Sequence, residues 1–171
     1  SFLRSSLDAG VECVPISVNF SRLHFSNEKF LPTLLQKMEN IQVPAHLIEL
    51  ELTESAIFDN FSIIYDFTEK VREYGVAVAM DDFGSGYANL NAVLRIPFSA
   101  VKMDRSLLSG VSSDPQTATF YRSIVMILQH MGYKVIAEGA ETEKEVKLLE
   151  KWGVDMIQGY YFSRPCARRS F

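Results

Sequence analysis

The run Asp81-Asp82-Phe83-Gly84-Ser85-Gly86 directly follows the apolar run Val76-Ala77-Val78-Ala79-Met80. Two adjacent carboxylates at the end of a buried strand cost free energy, and without a cation one of them takes up a proton instead. A divalent metal supplies that cation, and the glycines let the backbone turn sharply beside it. Asn19, Glu51 and Glu138 add further oxygen donors of the kind hard cations such as Mg²⁺ or Mn²⁺ prefer. One shared Asp with a second beside it suits two metals ~4 Å apart, a pair that clamps the attacking and leaving oxygens of a phosphodiester displacement. Lys102 is of the type that orients an attacking water or offsets phosphate charge.

Competing readings of the same residues fail on what is missing. Asp82-Phe83-Gly84 matches the metal-binding tripeptide of protein kinases, yet neither the catalytic loop nor the glycine-rich nucleotide loop of a kinase is present. Gly84-x-Gly86 alone does not define a dinucleotide loop. A structural salt-bridge network explains one Asp-Asp pair as well as a metal does, but not six aligned polar positions.

That alignment comes from the elements. Strand-like runs fall at 15–20, 47–53, 76–82, 100–104, 134–139 and 156–162, with helical patterns between them. Phe61, Ile64, Tyr65, Val71 and Tyr74 recur at helical spacing, as do Phe120, Ile124, Leu128 and Met131, and these stripes are read as core. Thr142 with Glu145 predicts a capping box ahead of Val146, Leu149 and Trp152. Segment 109–116 reads as loop, and 2–9 as a helix ending in a turn at Gly10. Applying the two-residue strand period sets Asn19 with Ser17, Glu51 with Glu49 and Thr53, Asp81 with Ala77 and Ala79, Lys102 with Ala100 and Asp104, Glu138 with Ile136, and Gln158 with Met156. Nearly every strand thus carries one ligand-type residue near its C-terminal end. That predicts an α/β fold, a TIM-type (β/α) barrel with its site at the C-terminal rim. An open doubly wound sheet would gather such residues at a switch point instead.

A complete barrel has eight strands in ~250 residues. Six strands in 171 residues predict an incomplete barrel, about six of eight βα units, with the first two absent and 1–171 forming a single domain. Such a remnant exposes sheet edges and needs a complementing fragment, a second copy or a rearrangement. Ser1 in place of Met is expected of an excised piece.

The composition excludes other classes. Net charge is −4, with 47% hydrophobic and 22% charged residues, an ordinary globular balance and not that of a nucleic-acid-polymer binder. Arg164, Arg168 and Arg169 form the one basic cluster and read as a solvated tail. Cys13 and Cys166 lack metal-type spacing and fit a reducing, cytoplasmic compartment. His24, His46 and His130 are scattered, against a zinc site. No apolar run approaches the ~20 residues of a membrane span, and no signal peptide is present, so membrane contact is not expected of this segment.

These residues together resemble the EAL domain family of bacterial cyclic-di-GMP phosphodiesterases. The likeness rests on Ser17-Val18-Asn19-Phe20-Ser21, Glu49-Leu50-Glu51-Leu52-Thr53-Glu54-Ser55, Asp81-Asp82-Phe83-Gly84-Ser85-Gly86-Tyr87, Lys102-Met103-Asp104-Arg105-Ser106, Ala137-Glu138-Gly139-Ala140-Glu141-Thr142 and Gln158-Gly159-Tyr160-Tyr161-Phe162-Ser163-Arg164-Pro165, in family order across nearly the whole chain. The resemblance implies metal-dependent hydrolysis of cyclic-di-GMP to linear pGpG. Asn19, Glu51 and Asp81 would bind one metal and Asp81 with Asp82 the second, a pair of Mg²⁺ or Mn²⁺ ions. Lys102 and Glu138 would position the hydrolytic water, with Glu138 as general base in some accounts of the family. Asp104 and Gln158 would line the site. Glu54 would anchor the loop 83–90, which in this family couples dimerisation to metal binding, so a homodimer through that loop and neighbouring helices is implied. An upstream sensor or GGDEF domain is plausible by family architecture, and the parent protein is free to be membrane-anchored elsewhere. The Glu-Ala-Leu segment itself, with its metal-binding Glu and a nearby substrate-binding Arg, is absent from this sequence, so the isolated chain is expected to be inactive or impaired. The alternatives are a non-catalytic cyclic-di-GMP receptor and a regulatory or dimerisation module; loss of a ligand residue would favour the receptor, and none within the span is lost.

Overall fold

Strand and helix alternate along the chain as the sequence periodicity predicts. The computed structural model describes residues 2–20, 27, 29–59, 61–86 and 90–165. Ser21, His24, Tyr87, Cys166, Arg168 and Arg169 lie outside them, as does 87–89 of the loop 83–90. The six strands follow chain order in one sheet, the parallel α/β arrangement of consecutive units of a TIM-type fold. The chain divides into two compact units, Ser1–Asp81 with Ala88–Ser99, and Asp82–Tyr87 with Ala100–Phe171.

In the first unit, α1 (Phe2–Asp8) leads to β1 (Ile16–Phe20), α2 (Phe30–Ile41), β2 (Ile48–Thr53), α3 (Glu54–Asp59), α4 (Phe61–Glu73), β3 (Ala77–Phe83, which runs on past the unit's last residue) and α5 (Leu90–Arg95). β1 pairs parallel with β2, from Ile16 opposite Ile48 to Phe20 opposite Leu52. β2 pairs parallel with β3, from Glu49 opposite Ala77 to Thr53 opposite Asp81. Leu50, Leu52, Ile57, Ile64, Val71 and Val78 are buried at its centre. Phe20 fixes the end of β1 by an edge contact to Phe30, 4.7 Å between centroids, and a stacked contact to Phe67 at 5.7 Å. Leu3, Val43 and Leu47 form a satellite core with Leu7, Cys13, Ile16 and Ile48.

In the second unit, β4 (Ala100–Met103), α6 (Arg105–Leu108), α7 (Pro115–His130), β5 (Lys134–Glu138), α8 (Glu143–Lys151) and β6 (Met156–Gln158) follow one another. β4 pairs parallel with β5, and β5 with β6, where Glu138 stands opposite Gln158. The helix starts follow sequence rules. Asp114 accepts from the amides of Gln116 and Thr117, with Pro115 in the first turn. Thr142 and Glu145 make the expected capping box.

Four expectations are corrected. The core stripe of α7 is Tyr121, Val125 and Leu128, whereas Phe120 and Met131 are exposed. The apolar residues of this helix run nearly all round it, so periodicity alone did not choose the face. On α4, Ile64 and Val71 are buried, but Tyr65 is exposed, as is Tyr74 just beyond the helix; a tyrosine lays its ring on the surface with its hydroxyl in water. The sixth strand ends at Gln158 and gives way to a turn. There Gly159 packs on the backbone of Ala140 so closely that a Cβ would meet Ala140 O at 2.1 Å. Strand β4 ends at Met103, and Asp104 leaves the strand to cap α6. Arg164, read as part of a solvated tail, is exposed, and its guanidinium lies 5.4 Å from the centroid of the Tyr160 ring.

Candidate metal centre

The strand period sets the first unit's candidates on one face. Ser17 Oγ donates to Glu49 Oε1 at 2.9 Å, which fixes the side those two residues share. Asn19 and Glu51 are the next pair along that face, directly opposite each other in register. Asn19 is exposed and Glu51 buried. Glu54 opens α3 and is also buried, where a carboxylate in the first turn meets the positive end of the helix.

At the end of β3 the alternation breaks. Asp82 takes φ 56°, a left-handed conformation costing a non-glycine residue roughly 1–2 kcal/mol. Strict alternation would point Asp81 and Asp82 to opposite faces. Instead, carboxylate oxygens of Asp82 and Glu138, together with one from Asp82's chain neighbour Asp81, lie within 4.8 Å of one another. Two oxygens on one hard cation, each at about 2.0–2.6 Å, are no more than about 5 Å apart, so this group fits a divalent ion in spacing and donor chemistry.

Gly84 makes the turn. It has φ +89°, and a Cβ there would sit 2.4 Å from Leu107 Cδ1. Only glycine satisfies both constraints.

Within the second unit Lys102 Nζ is 2.8 Å from Glu138 Oε1, with both side chains largely buried. The pairing occupies one oxygen of Glu138. Asp104 Oδ1 accepts from Ser106 N at 2.8 Å and Asp104 N donates to Phe83 O at 3.1 Å. Gln158 is exposed at the end of β6, level with Glu138.

Sequence reasoning did not single out Arg105 or Tyr121. Arg105 Nη2 pairs with Glu141 Oε1 at 2.9 Å. Tyr121 is fully buried with its hydroxyl unbonded. Burial first, and then the charge of Glu138, push its phenol well above the usual range. The signal for Tyr121 was a tyrosine within an otherwise aliphatic helical stripe. A cavity of ≈ 830 Å³ lies between α2 and α4, lined by Leu35, Ile63, Phe67 and Tyr74 among others, and contains none of the candidate residues.

Parallel strands bearing carboxylates and one lysine at their C-terminal ends mark an α/β protein of the TIM type with its candidate site at the C-terminal rim. The sequence model of the EAL domain matches residues 3–165, and the chain belongs to that family. It is 32% identical over 163 residues to "Cyclic di-GMP phosphodiesterase NbdA" of Pseudomonas aeruginosa, covering 95% of this chain and 21% of that protein. Among solved structures it resembles the MucR phosphodiesterase in complex with c-di-GMP (30% identity, TM-score 0.85, 95% of this chain and 66% of that one). It also resembles Klebsiella pneumoniae BlrP1 in a calcium and cy-diGMP complex (25% identity, TM-score 0.82, 89% and 39%). The chain thus spans about a fifth of the curated relative NbdA.

Proposed function

We propose that this chain belongs to a signalling phosphodiesterase that hydrolyses cyclic-di-GMP to linear pGpG with bound Mg²⁺ or Mn²⁺. The carrying observation is the carboxylate group of Asp82 and Glu138 with Asp81, beside the Lys102–Glu138 ion pair. The relatives' names and the c-di-GMP held by MucR and BlrP1 support the substrate, and the calcium in BlrP1 supports a divalent ion.

Asn19, Glu51, Asp81, Asp82 and Glu138 hold the metal. When bound, it supplies positive charge to the phosphodiester and favours ionisation of water. Lys102 fixes the Glu138 carboxylate through their ion pair, and the two side chains position the attacking water, with Glu138 as its general base. Asp104 and Gln158 line the site, and Glu54 anchors the loop 83–90. Exposed Phe120 and Ile127, with Met131 just past the helix end, give α7 an apolar outer stripe that, with the loop after Asp82, seats a second copy in a homodimer. The relative MucR is a bifunctional diguanylate cyclase/phosphodiesterase, which supports an upstream GGDEF domain in the parent. Among the described residues no helix is long and apolar enough to cross a membrane. We place the protein in the cytoplasm, since the two cysteines fit a reducing compartment.

This sequence contains no Glu-Ala-Leu triplet, and alone it turns over poorly. The test is calorimetric Mn²⁺ binding together with chromatography of cyclic-di-GMP incubated with Mn²⁺. Mn²⁺ uptake and slow conversion to pGpG are expected. Turnover at the rate of an intact EAL domain overturns the expected impairment, and absence of both Mn²⁺ and nucleotide binding overturns the reading.

A further inference from the structure

Glu138 is followed by Gly139-Ala140-Glu141, where the chain leaves β5. Gly139 has φ +75°, and a Cβ on it would lie 2.5, 2.6 and 2.8 Å from Cγ, Cβ and Cδ of Arg105. The stem of Arg105 therefore lies flat against the bare face of the glycine. Beyond it the guanidinium reaches Glu141, Nη2 to Oε1 2.9 Å. One residue thus covers the backbone next to Glu138 and ties down the end of the same tetrapeptide.

Arg105 is itself held. It opens α6, whose cap Asp104 is bonded both to Ser106 N and, through its own amide, to Phe83 O. Opposite Arg105 the tetrapeptide is pinned by a second element. Ala140 N donates to Gln158 O at 3.2 Å, and Ala140 O accepts from Tyr161 N at 3.0 Å. Between these bonds Gly159 sits against the backbone of Ala140.

We propose that Arg105 is a positioning residue. Its stem on Gly139 and its ion pair with Glu141 fix the exit of β5, so that the Glu138 carboxylate is pre-set between Lys102 Nζ and the carboxylate of Asp82. The inference rests on the metal-site reading above. The ion pair itself, with side chains 62% and 40% exposed, contributes little to folding. Groups that orient a metal ligand act differently, and removing one typically weakens metal affinity about 10–100-fold.

The test uses the full chain and two variants, Arg105→Ala and Arg105→Lys, with three measurements: Mn²⁺ affinity by calorimetry, the urea midpoint without metal, and the ¹³Cδ signal of Glu138 without metal. Arg105→Ala is expected to bind Mn²⁺ about tenfold more weakly at an almost unchanged midpoint. Arg105→Lys, which keeps stem and charge, is expected to recover most of that loss. The Glu138 signal, single in the wild type, is expected to broaden or split in Arg105→Ala. Unchanged affinity and an unchanged signal in Arg105→Ala overturn the proposal, as does an affinity loss that merely tracks stability across both variants. If the wild type takes up no Mn²⁺ the metal reading fails, and the Glu138 signal still decides whether Arg105 positions that side chain.

Discussion

Asn19 and Lys102 each stand one residue before the end of a parallel strand, yet their surroundings are opposite. Around Asn19, β1 is open: Ser17 and Asn19 are exposed and Val18 is 43% exposed. Around Lys102 all four residues of β4 are buried, and the lysine itself is 6% exposed. A neutral amide in water needs nothing from its neighbours, whereas a buried ammonium needs a counter-charge, which Glu138 supplies at 2.8 Å. Strand position alone therefore says where a functional group is offered. Burial says whether the fold also depends on it.

The strongest way to break this comparison is to remove each group. Lys102→Met strands the largely buried Glu138 carboxylate and is expected to cost about 3–4 kcal/mol in urea unfolding. Asn19→Ala is expected to stay within about 0.5 kcal/mol while weakening Mn²⁺ uptake. Equal losses of stability would sink the distinction.

Two glycines sharpen it further. Gly10 has φ +70° with nothing within 4 Å of an added Cβ, whereas Gly84 adds a clash with Leu107 to its positive φ. Gly84→Ala should therefore destabilise by about 2 kcal/mol more than Gly10→Ala. A difference near zero would mean that Leu107 moves aside at no cost.

A smaller effect belongs to the capping box of α8. Thr142→Ala is expected to lower stability by about 1 kcal/mol. Burial works against ionising Glu145, but hydrogen bonds from the amides of Glu141 and Thr142 outweigh it and hold the carboxyl below its ordinary 4.5. A carboxyl depressed in the folded state stabilises above its unfolded value, and that gain disappears as pH falls through the folded one. The stability gap between wild type and Glu145→Ala should accordingly be full above pH 4.5 and shrink on acidification; a pH-independent gap in urea titrations would contradict this. Smallest are the buried hydroxyls, one in each unit. Thr68 Oγ1 and Tyr121 OH have no hydrogen-bond partner, so Thr68→Val and Tyr121→Phe should be neutral or stabilising by up to about 1 kcal/mol in thermal melts. A marked loss in either would reveal a bound water.

Much of this was legible from residue order. The period of two set Asn19, Glu51, Asp81, Lys102, Glu138 and Gln158 near strand ends, and the Ser17–Glu49 hydrogen bond puts those two side chains on one side of their strands. Thr142 and Glu145 announced their box because capping is local chemistry. What the residues concealed was non-local or conformational. Tyr121 and Phe120 are adjacent and both aromatic, and only the packing of Tyr121 near Trp152, 5.8 Å between ring centroids, shows which turns inward. Strand β6 stops where Gly159 meets Ala140, a contact between segments far apart in the chain. No periodicity encodes the left-handed turn of Asp82.

That turn has a consequence for how such a chain changes over generations or in the laboratory. Asp82→Gly relaxes the backbone and removes a negative charge from a crowded acidic corner, so it should raise the melting temperature of the metal-free protein. The same change deletes one carboxylate of the candidate metal-binding group. A screen that rewards heat resistance alone would therefore enrich variants that have traded away their cation, and thermal robustness at this position is a warning sign rather than an improvement.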